Sequence, residues 1–263
     1  MQYAASPLRS PIERLFNTCN QLLARFTDTS NICVSKAVRA HLQEHFFLRK
    51  PHILYNSIGN NLVDSSLALA HVQSKSLPLN GNTFTLVVPG RLHPSKGHAF
   101  FLTVLQAFLQ ETPLDPAQLQ VFFVGGGLLH QALSAEIQQK QLEKHVHLTG
   151  TVPNPLLLSF LTLADVTIIP SIHEGLGIVA IEALQQQCLV LCSDAGGLPE
   201  VIVNHQNGFI APSLDHAAWL AQLSHLYHNR HKTLISPTTL YNTYKNRFSF
   251  PQHLQRLIEL ISL

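Results

Sequence analysis

Three observations predict an α/β fold with a Rossmann-like doubly wound parallel sheet. Strand-like and helix-like stretches alternate from residue 83 onward. The strands are continuous apolar runs without strict alternation, which is the pattern of strands covered on both faces. Glycine-bearing turns follow several of them, where a parallel strand hands the chain to its crossover helix.

The elements follow in order. Residues 11–26 (PIERLFNTCNQLLARF) place Ile12, Leu15, Phe16, Cys19, Leu22, Leu23 and Phe26 on one helical face. A membrane-surface helix is the competing reading there. Its charges are Glu13, Arg14 and Arg25, too few for a basic face, so packing on the sheet is favoured. Asn31–Ser35 is a short buried strand, 35–47 a helix and His52–Tyr55 a second strand. The polar stretch 72–83, with Pro78 and the Asn80-Gly81 turn signal, marks a domain boundary. Beyond it come strand Thr83–Pro89 and a helix over 96–110, then strand Leu119–Val124 and a helix over 129–142. Strand Val146–Leu148 leads to a helix over 155–163, and strand Val166–Ile169 to a helix over 177–187. Strands Cys188–Cys192 and Gly208–Ala211 and a helix over 216–228 complete the series.

Composition narrows the class. The 263 residues are 46% hydrophobic and 12% charged, enough apolar material for a buried core and too little charge for a disordered chain. A formal net charge of +2 gives no case for nucleic acid. Cys19, Cys33, Cys188 and Cys192 form no CxxC pair. Along a strand, Cys188 and Cys192 would lie roughly 13 Å apart, too far for a disulfide. Reduced thiols, no signal-peptide core and no apolar run of membrane-spanning length indicate a cytoplasmic protein, with a peripheral place at the inner face of the membrane left open.

Ligands of such sheets bind beyond the carboxyl ends of the strands. Gly90-Arg91-Leu92-His93-Pro94-Ser95-Lys96-Gly97 follows the first strand of the series and opens a helix. Two cations at a helix start favour a phosphate, although alone the segment reads more readily as a solvated basic loop. Val124-Gly125-Gly126-Gly127 follows the second. It is not GxGxxG and has no acidic ribose partner, so a dinucleotide is disfavoured and a tight turn suffices. Thr149-Gly150-Thr151-Val152-Pro153 is by itself a turn. Most informative is Pro170-Ser171-Ile172-His173-Glu174-Gly175-Leu176-Gly177-Ile178, which runs on to Glu182. The amides of Gly175, Leu176 and Gly177 are expected as unpaired donors aimed at an anion. Helical rise would separate Glu174 and Glu182 by roughly 12 Å, comparable to the span from the sugar to the ribose of a nucleotide sugar. Apolar neighbours make the Glu182 carboxylate costly to bury without partners. His41 and His45 share a helix face but lack a third ligand, so no metal is expected.

The ordered set over residues 84–212 resembles the donor domain of the retaining glycosyltransferases of family four, which have the GT-B fold. It runs from Gly90-Arg91 and Lys96-Gly97 through the VGGG turn, Ala164-Asp165, Pro170-Ser171 and Glu174-x7-Glu182. Ser193-Asp194-x-Gly196-Gly197-x-Pro199-Glu200 and Asn207-Gly208 close it. The resemblance implies a remnant of an N-terminal, acceptor-side domain over 1–78 and a nucleotide-sugar domain over 79–245. A crossover helix over 246–263 would pack on the N-terminal part.

The resemblance also implies roles. Arg91 and Lys96 neutralise the leaving diphosphate and, with Glu174, form the catalytic set. Gly90, Gly125, Val152, Gly175, Leu176, Gly177, Ile178 and Glu182 bind the donor, Glu182 at the ribose and Val152 at the base through its backbone. The reaction is transfer of a sugar from a nucleotide sugar, UDP-linked by default, to a glycan or lipid-linked acceptor with retention of configuration. No cofactor is implied. The family's earlier βα units, which carry the acceptor site, cannot be mapped here. A partner chain supplying that half, or a non-catalytic or truncated nucleotide-sugar-binding subunit, is therefore the alternative. Another GT-B enzyme, such as a sugar-nucleotide epimerase, fits the ordered motifs less well.

Overall fold

The computed structural model describes residues 31–46 and 51–262. The expected helix over 11–26 and Cys19 lie outside them. The chain begins with strand β1 (Asn31–Cys33), helix α1 (Lys36–Phe46) and strand β2 (Pro51–Ile53), and β1 and β2 form a two-stranded parallel sheet. Helix α2 (Ser66–Ser74) follows, then β3 (Phe84–Pro89), a 3-10 turn at Pro94–Lys96 and α3 (His98–Glu111). The series continues with β4 (Leu119–Val124), α4 (His130–Gln139), β5 (Val146–Gly150), α5 (Asn154–Leu163) and β6 (Val166–Ile169). It ends with α6 (Ile178–Gln185), β7 (Leu189–Ser193), α7 (Leu198–Val201), β8 (Phe209–Ala211), α8 (His216–His228), α9 (Pro237–Arg247) and α10 (Phe250–Ile261).

Strands β3 to β8 form one six-stranded sheet in the order β5-β4-β3-β6-β7-β8, with every neighbour pair parallel. This is the doubly wound sheet that the sequence predicts. Alternate residues of each strand enter opposite cores. Leu86, Val88, Val121, Phe123 and Ile168 face a core closed by α3, α4 and α8, with Phe101, Phe108 and Trp219 at its centre. Val87, Phe122, Val190 and Cys192 face a second core closed by α2, α5, α6 and α9. Burial on both faces is why the strands are apolar throughout.

Two helices escape the sequence reading. The stretch 72–83, read as a boundary, is preceded by α2, which buries Ala68 and Val72. Helix α9 is a polar segment that buries Leu240 and Tyr244; Ser236 starts it by accepting from the Thr239 amide, with Pro237 in its first turn. The C-terminal helix expected within 246–263 starts at Phe250, because α9 runs on to Arg247.

The link from β2 to the large sheet is stitched to α5 and α6 by side chains. Gln186 Nε2 donates to the Asn61 carbonyl at 2.6 Å, and Gln186 Oε1 accepts from the Val63 amide at 3.1 Å. Ser159 Oγ donates to the Asp64 carbonyl at 2.8 Å. Cys33, Cys188 and Cys192 are free and buried. Burial pushes the Cys188 thiol up to about 12, so it is an inert core group. No helix among the described residues is long and apolar enough to cross a membrane.

Candidate functional site

Strand order reverses between β3 and β6, and the crevice outside such a reversal is where doubly wound sheets bind ligands. The loops after these two strands are 90–97 and 170–177, the segments richest in predicted site residues. They interlock: the amides of Ile172 and His173 both donate to the Ser95 carbonyl, at 2.8 and 3.2 Å. Gly97 is left-handed at φ 70, and a Cβ there would stand 1.9 Å from the Pro170 carbonyl oxygen. Only glycine serves both demands. It also explains why α3 begins at His98 rather than Lys96 as expected.

The interlock brings Lys96 and Glu174 together. Lys96 Nζ lies 2.6 Å from Glu174 Oε2, with the two side chains 23% and 15% exposed. Ser171 Oγ stands 3.4 Å from the same oxygen. Arg91 is exposed on the same loop, and its guanidinium makes no ion pair or hydrogen bond among the described residues. A cation is thus held on the acid, and a second one on the same loop is left free.

Neighbouring loops complete the arrangement. Gly90 donates its amide to the Val124 carbonyl at 3.0 Å, and Leu92 donates to the Gly126 carbonyl at 2.9 Å, which joins the β3 and β4 loops. Gly125 bridges to Gly150 at the end of β5. The β7 loop packs under Glu174: Gly197 donates its amide to the Glu174 carbonyl at 3.2 Å, and a Cβ on Gly196 would meet that oxygen at 1.8 Å.

Among the described residues, the amides of Gly175, Leu176 and Gly177 donate to no acceptor. Gly177 is left-handed at φ 94 and precedes the first residue of α6, Ile178. Glu174 therefore sits in an irregular loop, and helical rise does not set its distance from Glu182 as the sequence reading assumed. Glu182 is half-buried on α6, and Asn154 Nδ2 approaches its Oε1 at 3.4 Å. Burial raises its carboxyl above the ordinary value, and the Asn154 contact offsets part of that. Val152 is half-buried at the end of β5 and packs against the second core.

The sequence reading passed over Ser35 and gave Glu200 no partner. Ser35 is fully buried, and its hydroxyl donates to the Gly175 carbonyl at 2.6 Å. Glu200 accepts from the Lys36 amide at 2.8 Å, the Ala37 amide at 2.9 Å and the Tyr55 hydroxyl at 3.0 Å. The first two partners are the first turn of α1, so the carboxylate caps a helix far away in sequence.

Among the described residues no cluster of three or more His, Cys, Asp or Glu side chains could hold a metal ion. A cavity of about 540 Å³ lies along the edge strand β5, lined by His71, Lys75, His130, His147 and Thr149 among others. It contains none of the predicted site residues.

These features define a doubly wound, Rossmann-like domain with an acid–base pair and free amides at its switch point. The chain belongs to the glycosyl transferases group 1 family, which matches residues 71–246. It is 28% identical over 141 residues to the D-inositol 3-phosphate glycosyltransferase of Jonesia denitrificans, covering 52% of this chain and 33% of that protein. It is 34% identical over 136 residues to the putative teichuronic acid biosynthesis glycosyltransferase TuaC of Bacillus subtilis, covering 52% and 31%. The chain thus spans about a third of the length of these relatives. The solved structure of HepE from Anabaena in complex with UDP superposes with a TM-score of 0.80 at 21% identity, covering 98% of this chain and 70% of that one. That likeness concerns the fold.

Proposed function

We propose that residues 79–245 bind a nucleotide-diphosphate sugar and that the protein transfers the sugar with retention of configuration. The observation that carries this reading is the meeting of Lys96 and Glu174, next to the free amides of 175–177, at the strand-order reversal, with Arg91 unpaired on the same loop as Lys96.

The chemistry follows from the charges. Breaking the bond from the anomeric carbon to the diphosphate leaves negative charge on phosphate oxygens. Two cations and preorganised amides stabilise that charge as it develops. In the unliganded site Glu174 neutralises Lys96. A donor whose sugar hydroxyls bond to Glu174 frees the ammonium for the diphosphate. Glu182 accepts from the ribose hydroxyls, and Val152 meets the base through its backbone. Gly90 and Gly125 lie at the entry to the crevice, and Ile178 starts the helix beside it. The chemistry requires no cofactor. UDP is the assigned carrier, in keeping with the ligand of HepE.

The acceptor is a glycan or a lipid-linked molecule, a reading supported by the teichuronic acid in the name of TuaC and not by the D-inositol 3-phosphate of the other relative. An N-terminal, acceptor-side domain includes residues 1–78, and the helix within 246–263 lies beside it.

Calorimetric titration with UDP, GDP and ADP tests the donor site. UDP is expected to bind, and Arg91→Ala and Glu182→Ala are each expected to weaken it by about 1–3 kcal/mol without loss of fold. A folded chain that binds none of the three overturns the reading.

A further inference from the structure

Two amides that the proposed donor site uses are aimed from the far ends of their own peptide planes. A trans peptide is planar, so its carbonyl and its N–H point in opposite directions. The Gly175 carbonyl and the Leu176 N–H belong to one plane, and the carbonyl is held by Ser35 Oγ at 2.6 Å. The Glu174 carbonyl and the Gly175 N–H belong to the preceding plane, and that carbonyl is held by the Gly197 amide at 3.2 Å. Both planes are anchored at one end and carry a free donor at the other. A glycine at 175 has little conformational preference of its own, so an unanchored plane there can rotate.

Ser35 is itself positioned. It is fully buried, and its Oγ also accepts from the Val38 amide at 3.0 Å, starting α1. The two preceding amides of α1, from Lys36 and Ala37, go to the Glu200 carboxylate, whose other contact is the Tyr55 hydroxyl. Arg247 donates to the Glu200 carbonyl at 2.6 Å. Gly197 ends the β7 loop and Glu200 stands three residues on in α7, so one short segment anchors one plane directly and the other through α1.

We infer that Ser35 is a positioning residue for the donor site: its hydroxyl aims the Leu176 amide, and Glu200 seats Ser35 by capping α1. The small two-stranded sheet thereby reports its docking to the donor loop, and lifting α1 away releases the 175–176 plane. This rests on the donor-site reading above and goes beyond it by assigning part of the donor loop's geometry to a residue 140 positions away in sequence. The bound group is an oxygen acceptor of the donor, either a phosphate oxygen or a sugar hydroxyl.

The experiment is titration of the full chain with UDP and with UDP-glucose, alongside thermal melts, for wild type, Ser35→Ala, Ser35→Thr and Glu200→Gln. Ser35→Ala is expected to weaken UDP-glucose about 10-fold. Ser35→Thr, which keeps the hydroxyl, should stay within about 3-fold of wild type, and Glu200→Gln should weaken binding about 3-fold. A matching loss for UDP assigns the amide to the diphosphate, and an intact UDP affinity assigns it to the sugar. If Ser35→Ala lowers the melting temperature but binds both ligands like wild type, the hydroxyl is merely structural and the inference fails. Should Ser35→Ala not fold, Glu200→Gln decides: a folded Glu200→Gln with wild-type affinity overturns the inference. If wild type binds neither ligand, the donor-site reading itself falls and takes this inference with it.

Discussion

The six-stranded sheet and the two-stranded sheet are held by different forces. The large sheet is buried on both faces, with Leu86, Val121 and Phe123 on one and Val87, Phe122 and Val190 on the other, all at 1% exposure or less. The small one buries Cys33 but leaves Ile32 half-exposed, and a pair of strands on its own is marginal in water. Beyond the packing of Val34 and Tyr55 against the second core, its attachment runs through polar groups: Ser35 to Gly175, Glu200 to the first turn of α1, and Tyr55 to Glu200. The contrast shows that apolar burial stabilises the donor unit while directed hydrogen bonds place its neighbour. The two should therefore respond to different perturbations.

The largest effect is expected from Gly97→Ala, which strikes the large unit at its switch point. A left-handed φ and a 1.9 Å approach to the Pro170 carbonyl leave no room for Cβ. Denaturant unfolding should show a loss of about 3 kcal/mol or more.

Acid should also act first on the large unit. His98 is buried at the start of α3 with neither ring nitrogen hydrogen-bonded, and burial, aided by the Lys96 charge, lowers it to about 4. Burial likewise lowers His147 to about 4. A histidine with a depressed folded value contributes stability that is fully present above 6.5 and lost as pH falls through about 4. For His98 that contribution is about 3 kcal/mol. His98→Phe should flatten roughly half of the acid limb measured by melts between pH 7 and 4. An unchanged limb would show that the ring is solvated.

Glu182→Gln should separate stability from binding. Because burial raises the Glu182 carboxyl, its stability contribution is full below the ordinary carboxylate value and is lost as pH rises through the raised one. At neutral pH the substitution should raise the melting temperature slightly while weakening UDP by about 10-fold, or ~1.4 kcal/mol. A variant that melts lower and binds normally would place Glu182 among structural carboxylates.

The smallest effect is expected from Tyr55→Phe, which removes one hydrogen bond to Glu200. It should cost about 1 kcal/mol, confined to the small sheet. Hydrogen exchange of the β1, α1 and β2 amides should quicken about fivefold while the amides of β3 and β4 stay unchanged. Quickening in both regions would mean that the two sheets unfold as one unit.

Much of this molecule was legible along the chain. Strands 119–124 and 166–169 fall where the continuous apolar runs place them, since a strand buried on both faces cannot alternate. Helix 216–228 is bounded as expected because Asp215 accepts from the Ala218 amide at its start. Helices α2 and α9 were not legible: each buries only two residues, α2 leaves its apolar Leu67 and Leu69 exposed so that no buried stripe stands out, and α9 otherwise looks like a polar connection. At the site, loops 90–97 and 170–177 announced themselves by glycine, charge and position after a strand. Their interlock did not, because it depends on the Ser95 and Pro170 carbonyls, which any residue supplies.

What the sequence determined by itself is local: periodicity, turn glycines, and the order of Lys96, Glu174 and Glu182 along the chain. What tertiary structure alone decided is who holds whom. Lys96 meets Glu174 across 78 positions, Ser35 meets Gly175 across 140, and Glu200 reaches α1 across 163 and 164. A backbone amide or carbonyl is one partner in three of these four contacts. Such groups carry no signature in residue type, so only the packing of the sheets and loops selects which of them become partners.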